Sequence, residues 1–148
     1  MHFIVADDHP IFLSALNEAL KQWFENLTIH EASSVKHLEK LVDELENPDL
    51  ILLDLMMPGV QGFSALVYLR GVYPKTPILI LSGIEKDKVI AAAAEYGASG
   101  YIKKSAKLPM IINSISDALK GAKVFPETIE LVDELEVDHD LDKKIQSL

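Results

Sequence analysis

The sequence predicts an α/β domain in which a parallel β-sheet is covered by helices on both faces. Short apolar runs alternate with longer amphipathic stretches along all but the last part of the chain. Two of these runs, residues 50–53 and 77–81, are apolar at every position, which suits strands that are buried on both faces. The length of 148 residues agrees with one domain, because a typical domain holds about 100–200 residues.

The alternation predicts five strands and five helices. We expect strands over residues 3–6, 27–32, 50–53, 77–81 and 100–102. We expect helices over residues 10–24, 35–45, a stretch that ends near Tyr73, 86–96 and 109–120. Pro10 suits the first turn of a helix, and Gly97 suits the end of the fourth helix.

Strict alternation of strands and helices implies parallel strands that are joined by right-handed crossovers. For a chain of this size we expect the flavodoxin-like strand order 2-1-3-4-5, in three layers. In such a sheet a ligand binds beyond the carboxyl ends of the strands, where the winding reverses between strands 1 and 3. We therefore expect the functional residues at that edge.

The composition excludes several classes of protein. The chain has no cysteine, which excludes disulfide scaffolds, thiol chemistry and cysteine-bound metal sites. No apolar run approaches the roughly 18 residues of a membrane span, and the amino terminus lacks the basic segment of a signal peptide. We therefore expect a cytoplasmic protein without a membrane partner. The formal charge of −9 argues against nucleic-acid binding by this chain.

The excess negative charge is concentrated at the carboxyl end. Residues 1–125 carry 15 acidic and 12 basic side chains, whereas residues 126–148 carry 8 acidic and 2 basic ones. This shift coincides with the helix-stop signals Gly121 and Pro126. We therefore expect a folded domain over residues 1–122 and an acidic linker or tail over residues 123–148. One or two amphipathic helices and a solvated connector remain open alternatives for the tail.

Carboxylates follow two strands that would be neighbours in this sheet. Asp7 and Asp8 end strand 1, and Asp54 ends strand 3. Like charges at such short distances need a cation to neutralise them, and partly hydrated oxygen ligands suit Mg²⁺. Asp7 or Asp8 could instead cap the following helix, but that alternative leaves Asp54 unexplained. We therefore expect a magnesium site at this edge.

Two further strand ends favour the binding of a phosphoryl group. Strand 4 ends at Ser82, and strand 5 leads into Lys103 and Lys104. A hydroxyl and an ammonium beside a metal-bound carboxylate can bind phosphoryl oxygens, and a carboxylate can itself form an aspartyl phosphate. Composition does not decide which aspartate accepts the group. Asp54 has no second aspartate beside it at its strand end, which favours it as the acceptor of the phosphoryl group.

Four motifs, in this order, resemble the receiver domain of two-component response regulators: Asp7-Asp8, Leu-Leu-Asp54-Leu-Met-Met-Pro-Gly, Leu-Ser82-Gly and Gly-Tyr101-Ile-Lys-Lys104-Ser. The resemblance covers residues 1–122 and implies the CheY-like fold of these domains. It implies a phosphorylation-dependent switch rather than an enzyme, limited to phosphotransfer and autodephosphorylation. A sensor histidine kinase is the implied partner, and Mg²⁺ the implied cofactor.

Carried over position by position, the resemblance implies that Asp54 is the phosphoacceptor. Asp8, Asp54 and the backbone carbonyl of Met56 would hold Mg²⁺, and Asp7 would act through a bound water.

The resemblance also implies the parts of the switch. Ser82 would be the switch hydroxyl, Tyr101 the aromatic that changes rotamer, and Lys104 the lysine that pairs with the phosphate. Lys103 competes for the last role, but the family's lysine lies three residues after the aromatic, which selects Lys104. Many receivers place a proline next, whereas Ser105 follows here. A cis peptide at this bond is therefore left open, since a non-proline cis bond costs about 3–4 kcal/mol.

The stretches Ala-Asp-Asp-His9-Pro10, Gly97-Ala-Ser-Gly-Tyr and Lys-Lys-Ser resemble receivers of LuxR/NarL-type transcription factors. This implies an output domain with a DNA-binding helix-turn-helix beyond the chain, and dimerisation or release of that domain on phosphorylation. Residues 123–148 contain no basic recognition helix, so we expect no DNA-binding residue in this chain. We expect an excised regulatory domain, with a stand-alone or a degenerate receiver as alternatives.

A flavodoxin-like electron carrier that binds FMN is the alternative from another class. It would need a phosphate loop rich in glycine and hydroxyl groups after strand 1, where Asp7 and Asp8 place negative charge instead. His9 either tunes the acidic site or serves the start of the first helix. The other histidines are expected to be scattered surface residues, and Trp23 and Phe24 to be core residues.

Overall fold

The structure, a computed structural model, describes residues 1–126, and within them strands and helices alternate strictly. The strands are β1 (His2–Ala6), β2 (Thr28–Ala32), β3 (Leu50–Leu53), β4 (Ile78–Ser82) and β5 (Gly100–Lys103). The helices are α1 (Pro10–Trp23), α2 (Val35–Glu44), α3 (Ser64–Val72), α4 (Asp87–Glu95) and α5 (Leu108–Leu119). The predicted elements are confirmed, with ends that differ by at most one residue. The alternatives for the acidic tail fall on residues 127–148, outside the described residues.

The five strands form one parallel sheet in the order β2-β1-β3-β4-β5. The predicted fold class and strand order are therefore confirmed. In the register of the sheet, Ala6 at the end of β1 lies beside Ala32 of β2 and Leu53 of β3. The chain consequently leaves β1 and β3 at the same edge, next to each other.

Two apolar cores cover the two faces of the sheet. Ile4, Ile51 and Ile80 face one core, which α2, α3 and α4 complete. The strand residues directly before and after these isoleucines in sequence face the other core, which α1 and α5 complete. Successive strand residues point to opposite faces, so a strand covered on both sides has to be apolar at consecutive positions. This burial explains the continuous apolar runs of β3 and β4.

The chain returns to the sheet after α5. Val124 forms a parallel bridge with Gly100, and the Tyr101 amide donates a hydrogen bond to the Val124 carbonyl at 2.9 Å. A Cβ atom on Gly100 would overlap the Val124 side chain and would lie 2.5 Å from its carbonyl oxygen. Glycine is therefore required for this close approach, which places Val124 beside Tyr101.

The expectation that Trp23 is a core residue is wrong, because its side chain is 62% exposed. Helix α1 ends at Trp23. The backbone of Phe24 is extended, and the Phe24 side chain, not that of Trp23, turns toward the sheet. Phe24 packs edge-to-face on Phe3, with ring centroids 5.5 Å apart. Within the described part of the chain, no helix combines the length and the apolarity that crossing a membrane requires.

Candidate functional site

Three aspartates meet where β1 and β3 end. The Asp7 amide donates to the Ala32 carbonyl and the Asp54 amide to the Ala6 carbonyl, both at 2.9 Å, so backbone pairing continues one residue past each strand. The side chains of Asp7 and Asp54 are each 1% exposed, whereas Asp8 is partly exposed. The structure thus brings together the three carboxylates that the topology predicts at this edge.

Lys104 supplies positive charge to the two buried aspartates. Its Nζ lies 2.7 Å from Asp7 Oδ2 and 3.1 Å from Asp54 Oδ2. A buried carboxylate is unfavourable without a partner of opposite charge, so this contact compensates for the burial. The Nζ of Lys103 lies away from the aspartates, 3.7 Å from Glu85 Oε1. The peptide bond after Lys104 is trans.

His9 reaches into the same cluster, although the predicted set of site residues does not include it. It occupies the cap position of α1, but its side chain makes no capping hydrogen bond. Its Nδ1 lies 2.8 Å from Asp7 Oδ1, 3.3 Å from Asp8 Oδ1 and 3.5 Å from Asp54 Oδ2. The same nitrogen lies 2.8 Å from Lys104 Nζ. In the sequence, the position of His9 directly after Asp7-Asp8 is the signal that indicates its place in this cluster.

The donor atoms of this cluster fit a divalent cation. One ligand atom from each of Asp7, Asp8, His9 and Asp54 can be chosen so that all lie within 4.8 Å of one another. Among residues 1–126, Asp8 Oδ1 is buried without a hydrogen-bond donor, whereas Asp7 Oδ2 is paired with Lys104 Nζ at 2.7 Å. A buried acceptor without a donor is unfavourable, and a cation would satisfy it. A donor set dominated by carboxylate oxygens suits Mg²⁺.

The loop after β3 is held against Asp54. The Met56 amide donates to Asp54 Oδ1 at 2.9 Å, and the Val35 amide donates to the Pro58 carbonyl at 3.1 Å. Gly59 has a φ of 89°, in the left-handed region that favours glycine. Met56 is exposed while Met57 is buried, so the loop is anchored on one side and open to solvent on the other.

Ser82 and Tyr101 are both bonded to Ile84 in the loop after β4. The Ile84 amide donates to Ser82 Oγ at 3.1 Å, and the Tyr101 hydroxyl donates to the Ile84 carbonyl at 2.7 Å. Both side chains are buried. Burial raises the pKa of the Tyr101 phenol. A hydrogen bond with the Ser82 side chain opposes this shift, and the negative charges of Asp54 and Glu85 add to it. The Ile84 residue therefore links the predicted switch hydroxyl to the predicted switch aromatic.

Replacing Tyr101 with phenylalanine is expected to lower the free energy of unfolding by about 1 kcal/mol, because the Ile84 carbonyl loses its buried donor. Because the pKa of Tyr101 is higher in the folded than in the unfolded protein, its protonated phenol stabilises the fold. This contribution is fully present below about pH 10, the pKa in the unfolded chain, and is lost as the pH rises through the folded pKa. The variant should therefore lose stability less steeply above about pH 10. Urea denaturation at pH values below and above about 10 measures both the loss of stability and its pH dependence. Identical slopes of unfolding free energy against pH in the wild type and the variant would contradict the predicted pH dependence.

Fold and site together define a doubly wound α/β domain with an acidic, lysine-containing centre at its switch point. The family model of the response regulator receiver domain matches residues 3–116. The chain belongs to this family, and receiver domains are phosphorylation-dependent switches. The family prediction is confirmed, and membership excludes the electron-carrier alternative.

Known relatives agree with the predicted subfamily. A glycerol metabolism activator of Pseudomonas putida is 33% identical over 126 residues, which cover 85% of this chain and 57% of that protein. The nitrate/nitrite response regulator protein NarL of Escherichia coli (strain K12) is 29% identical, with coverages of 85% and 58%. A crystal structure of a LuxR family DNA-binding response regulator from Silicibacter pomeroyi matches with a TM-score of 0.74 and 26% identity, over 87% of this chain and 98% of that one. The resemblance to LuxR/NarL-type regulators is confirmed. The chain spans less than two thirds of the length of these two curated relatives.

Proposed function

We propose that Asp54 accepts a phosphoryl group from a sensor histidine kinase. Mg²⁺ would be held by Asp8, Asp54 and the backbone carbonyl of Met56, with Asp7 acting through a bound water. The observation that carries the proposal is the buried Asp54 carboxylate, which has Lys104 Nζ at 3.1 Å and lies in one cluster with Asp7 and with Asp8, whose Oδ1 has no hydrogen-bond donor among the described residues. When bound, Mg²⁺ would neutralise negative charge on the transferred group.

In the transfer step, a carboxylate oxygen of Asp54 forms a bond to phosphorus. The bond from phosphorus to the imidazole nitrogen of the donor breaks, and its electron pair leaves with that imidazole, which takes up a proton. Lys104 would then pair with the phosphoryl oxygens. Ser82 Oγ accepts from the Ile84 amide, a bond that does not use its own hydrogen, so the hydroxyl can donate to the phosphoryl group.

The switch would follow from the charge of about −1.5 to −2 that the phosphoryl group brings. Movement of Ser82 toward the phosphoryl group would displace Ile84, which is bonded to the Ser82 hydroxyl and to the Tyr101 phenol. Tyr101 would lose its present acceptor and could take a new rotamer. Val124 is paired with β5 at Gly100 and Tyr101, so the change would reach the chain segment that follows α5.

We further propose the context of a transcription regulator for this receiver. The matched relatives are longer than this chain, and one matched structure is described as a DNA-binding response regulator. A domain over residues 1–122 and a linker over residues 123–148 would connect the receiver to a DNA-binding output domain, and phosphorylation would promote dimerisation. A stand-alone receiver that acts by protein contact is the alternative. The cytoplasmic location stays a prediction.

Incubation with acetyl phosphate and Mg²⁺, followed by intact mass spectrometry, tests the acceptor without a kinase. The wild-type chain should gain one phosphoryl group, and Asp54→Ala should gain none. Asp49→Ala is the matched control, because Asp49 is an exposed aspartate directly before β3, at the opposite end of that strand. It should gain the group like the wild type. An equal gain in Asp54→Ala would overturn the proposal.

A further inference from the structure

We propose that His9 is an additional ligand of the divalent cation, and that this nitrogen ligand makes the site prefer transition ions such as Mn²⁺ and Co²⁺ to Mg²⁺. The inference rests on the proposed metal site of Asp8 and Asp54. It adds a specificity-determining residue that the four receiver motifs do not contain.

The distances around His9 Nδ1 are those of neighbouring ligand atoms in one coordination shell. In an octahedral shell with bonds of about 2.1 Å, adjacent ligand atoms lie about 3.0 Å apart. His9 Nδ1 lies 3.3 Å from Asp8 Oδ1 and 3.5 Å from Asp54 Oδ2, the two carboxylates proposed as direct ligands, and 2.8 Å from Asp7 Oδ1, which would act through a water.

The local backbone directs His9 into the site. The His9 amide donates to Asp7 Oδ1 at 2.8 Å, which closes a short turn and ties the histidine to the first aspartate. Proline at the start of α1 has no amide hydrogen, and the His9 side chain caps no other amide of the helix. The imidazole therefore has no role at the helix terminus that would hold it away from the carboxylates.

The Nδ1 atom faces Lys104 as well as the carboxylates. A ring nitrogen cannot donate to Asp7 and accept from the Lys104 ammonium at the same time. The 2.8 Å contact with Asp7 Oδ1 is satisfied when Nδ1 carries the hydrogen, and the 2.8 Å contact with Lys104 Nζ is satisfied when Nδ1 offers its lone pair. This lone pair is what a metal ion would use. A cation among the carboxylates would thus compete with Lys104 for a nitrogen that already faces the site.

A nitrogen ligand changes the preference among metal ions. Imidazole suits first-row transition ions, whereas Mg²⁺ favours oxygen ligands, and affinities for a mixed site rise from Mn²⁺ to Co²⁺. We therefore expect the ratio of Co²⁺ to Mg²⁺ affinity to fall at least about tenfold in His9→Ala, with Mg²⁺ affinity little changed. His9 is more than half exposed, so its replacement by alanine should leave the fold intact.

The test combines affinities with a direct view of the ligand. Isothermal titration calorimetry of the full chain with Mg²⁺, Mn²⁺ and Co²⁺ gives the ratios for the wild type and for His9→Ala. Pulsed electron paramagnetic resonance of bound Mn²⁺ detects coupling to a directly bound ¹⁴N nucleus. His30→Ala is the matched control, because His2 Nδ1 and His30 Nε2 lie 3.0 Å apart and form another pair of imidazole nitrogens.

The expected result is a ¹⁴N coupling that His30→Ala keeps and His9→Ala loses. Loss of the coupling in His30→Ala alone would overturn the inference. So would affinities that rise equally for all three ions in His9→Ala, since His9 would then be a competitor of the metal. Mg²⁺ binding that depends on Asp8 but shows no ¹⁴N coupling would overturn the role of His9 and leave the proposed function standing. Absence of any metal binding by the wild type would overturn both.

Discussion

Replacing Lys104 with methionine is expected to lower the free energy of unfolding by about 3 kcal/mol when divalent ions are chelated. Lys104 Nζ lies 2.7 Å from Asp7 Oδ2 and 3.1 Å from Asp54 Oδ2, and both aspartates are buried. Removing one partner of a buried ion pair leaves charge uncompensated, at a cost of about 3–5 kcal/mol. The lysine is itself partly exposed, which favours the lower end of that range. Urea denaturation in EDTA measures the change.

Added Mg²⁺ should stabilise Lys104→Met more than it stabilises the wild type. The ion would replace the lost positive charge beside Asp7 and Asp54, and a ligand that binds only the folded state shifts unfolding by mass action. Lys103→Met is the matched control, because its partner Glu85 is half exposed and the two charged atoms lie 3.7 Å apart. Such a surface pair contributes less than about 1 kcal/mol. Equal, small losses in the two variants would contradict the role of Lys104.

Replacing Asp8 with alanine is expected to slow the phosphorylation of Asp54 by acetyl phosphate by about 100-fold or more at a fixed Mg²⁺ concentration. Asp8 Oδ1 is a buried acceptor to which no residue of the described range 1–126 donates a hydrogen bond, and Asp8 would be a direct ligand of the ion. A catalytic metal ion contributes several kcal/mol of charge stabilisation, and each 1.36 kcal/mol changes a rate about tenfold. Time courses of intact mass measure the rate.

The Mg²⁺ dependence separates a metal ligand from a merely structural residue. In Asp8→Ala the concentration of Mg²⁺ at half-maximal rate should rise, whereas Asp49→Ala should match the wild type in both rate and Mg²⁺ dependence. Circular dichroism of the variant should match that of the wild type, because Asp8 is partly exposed and follows β1 rather than lying within it. An unchanged rate with an unchanged Mg²⁺ dependence would remove Asp8 from the metal site.

The sheet and the meeting of Asp7, Asp8 and Asp54 could be predicted from the sequence because both follow from local pattern. Burial on both faces imposes continuous apolar runs on β3 and β4, and strict alternation sets parallel strands. Once β1 and β3 are neighbours, the residues that follow them share an edge. The separation of Lys103 from Lys104 follows in the same way, since adjacent residues on an extended chain point to opposite sides.

Features that depend on how particular side chains turn could not be predicted from the sequence. His9 had two open roles because either rotamer is compatible with the start of α1. The pairing of His2 with His30 depends on the register in which Ile4 lies beside His30, which tertiary contacts set. Trp23 has helical spacing with the apolar face of α1, but the helix ends there and the side chain is exposed.

The most direct test of the central claim, that Asp54 carries the phosphoryl group, is to locate the modification by its chemistry. An acyl phosphate reacts with hydroxylamine, which expels phosphate and leaves a hydroxamate on the carboxyl group that carried it. We predict that peptide mass spectrometry of the chain, phosphorylated by acetyl phosphate with Mg²⁺ and then treated with hydroxylamine, finds the hydroxamate at Asp54. A hydroxamate at Asp7 or Asp8 instead, or a phosphoryl group that resists hydroxylamine, would contradict it.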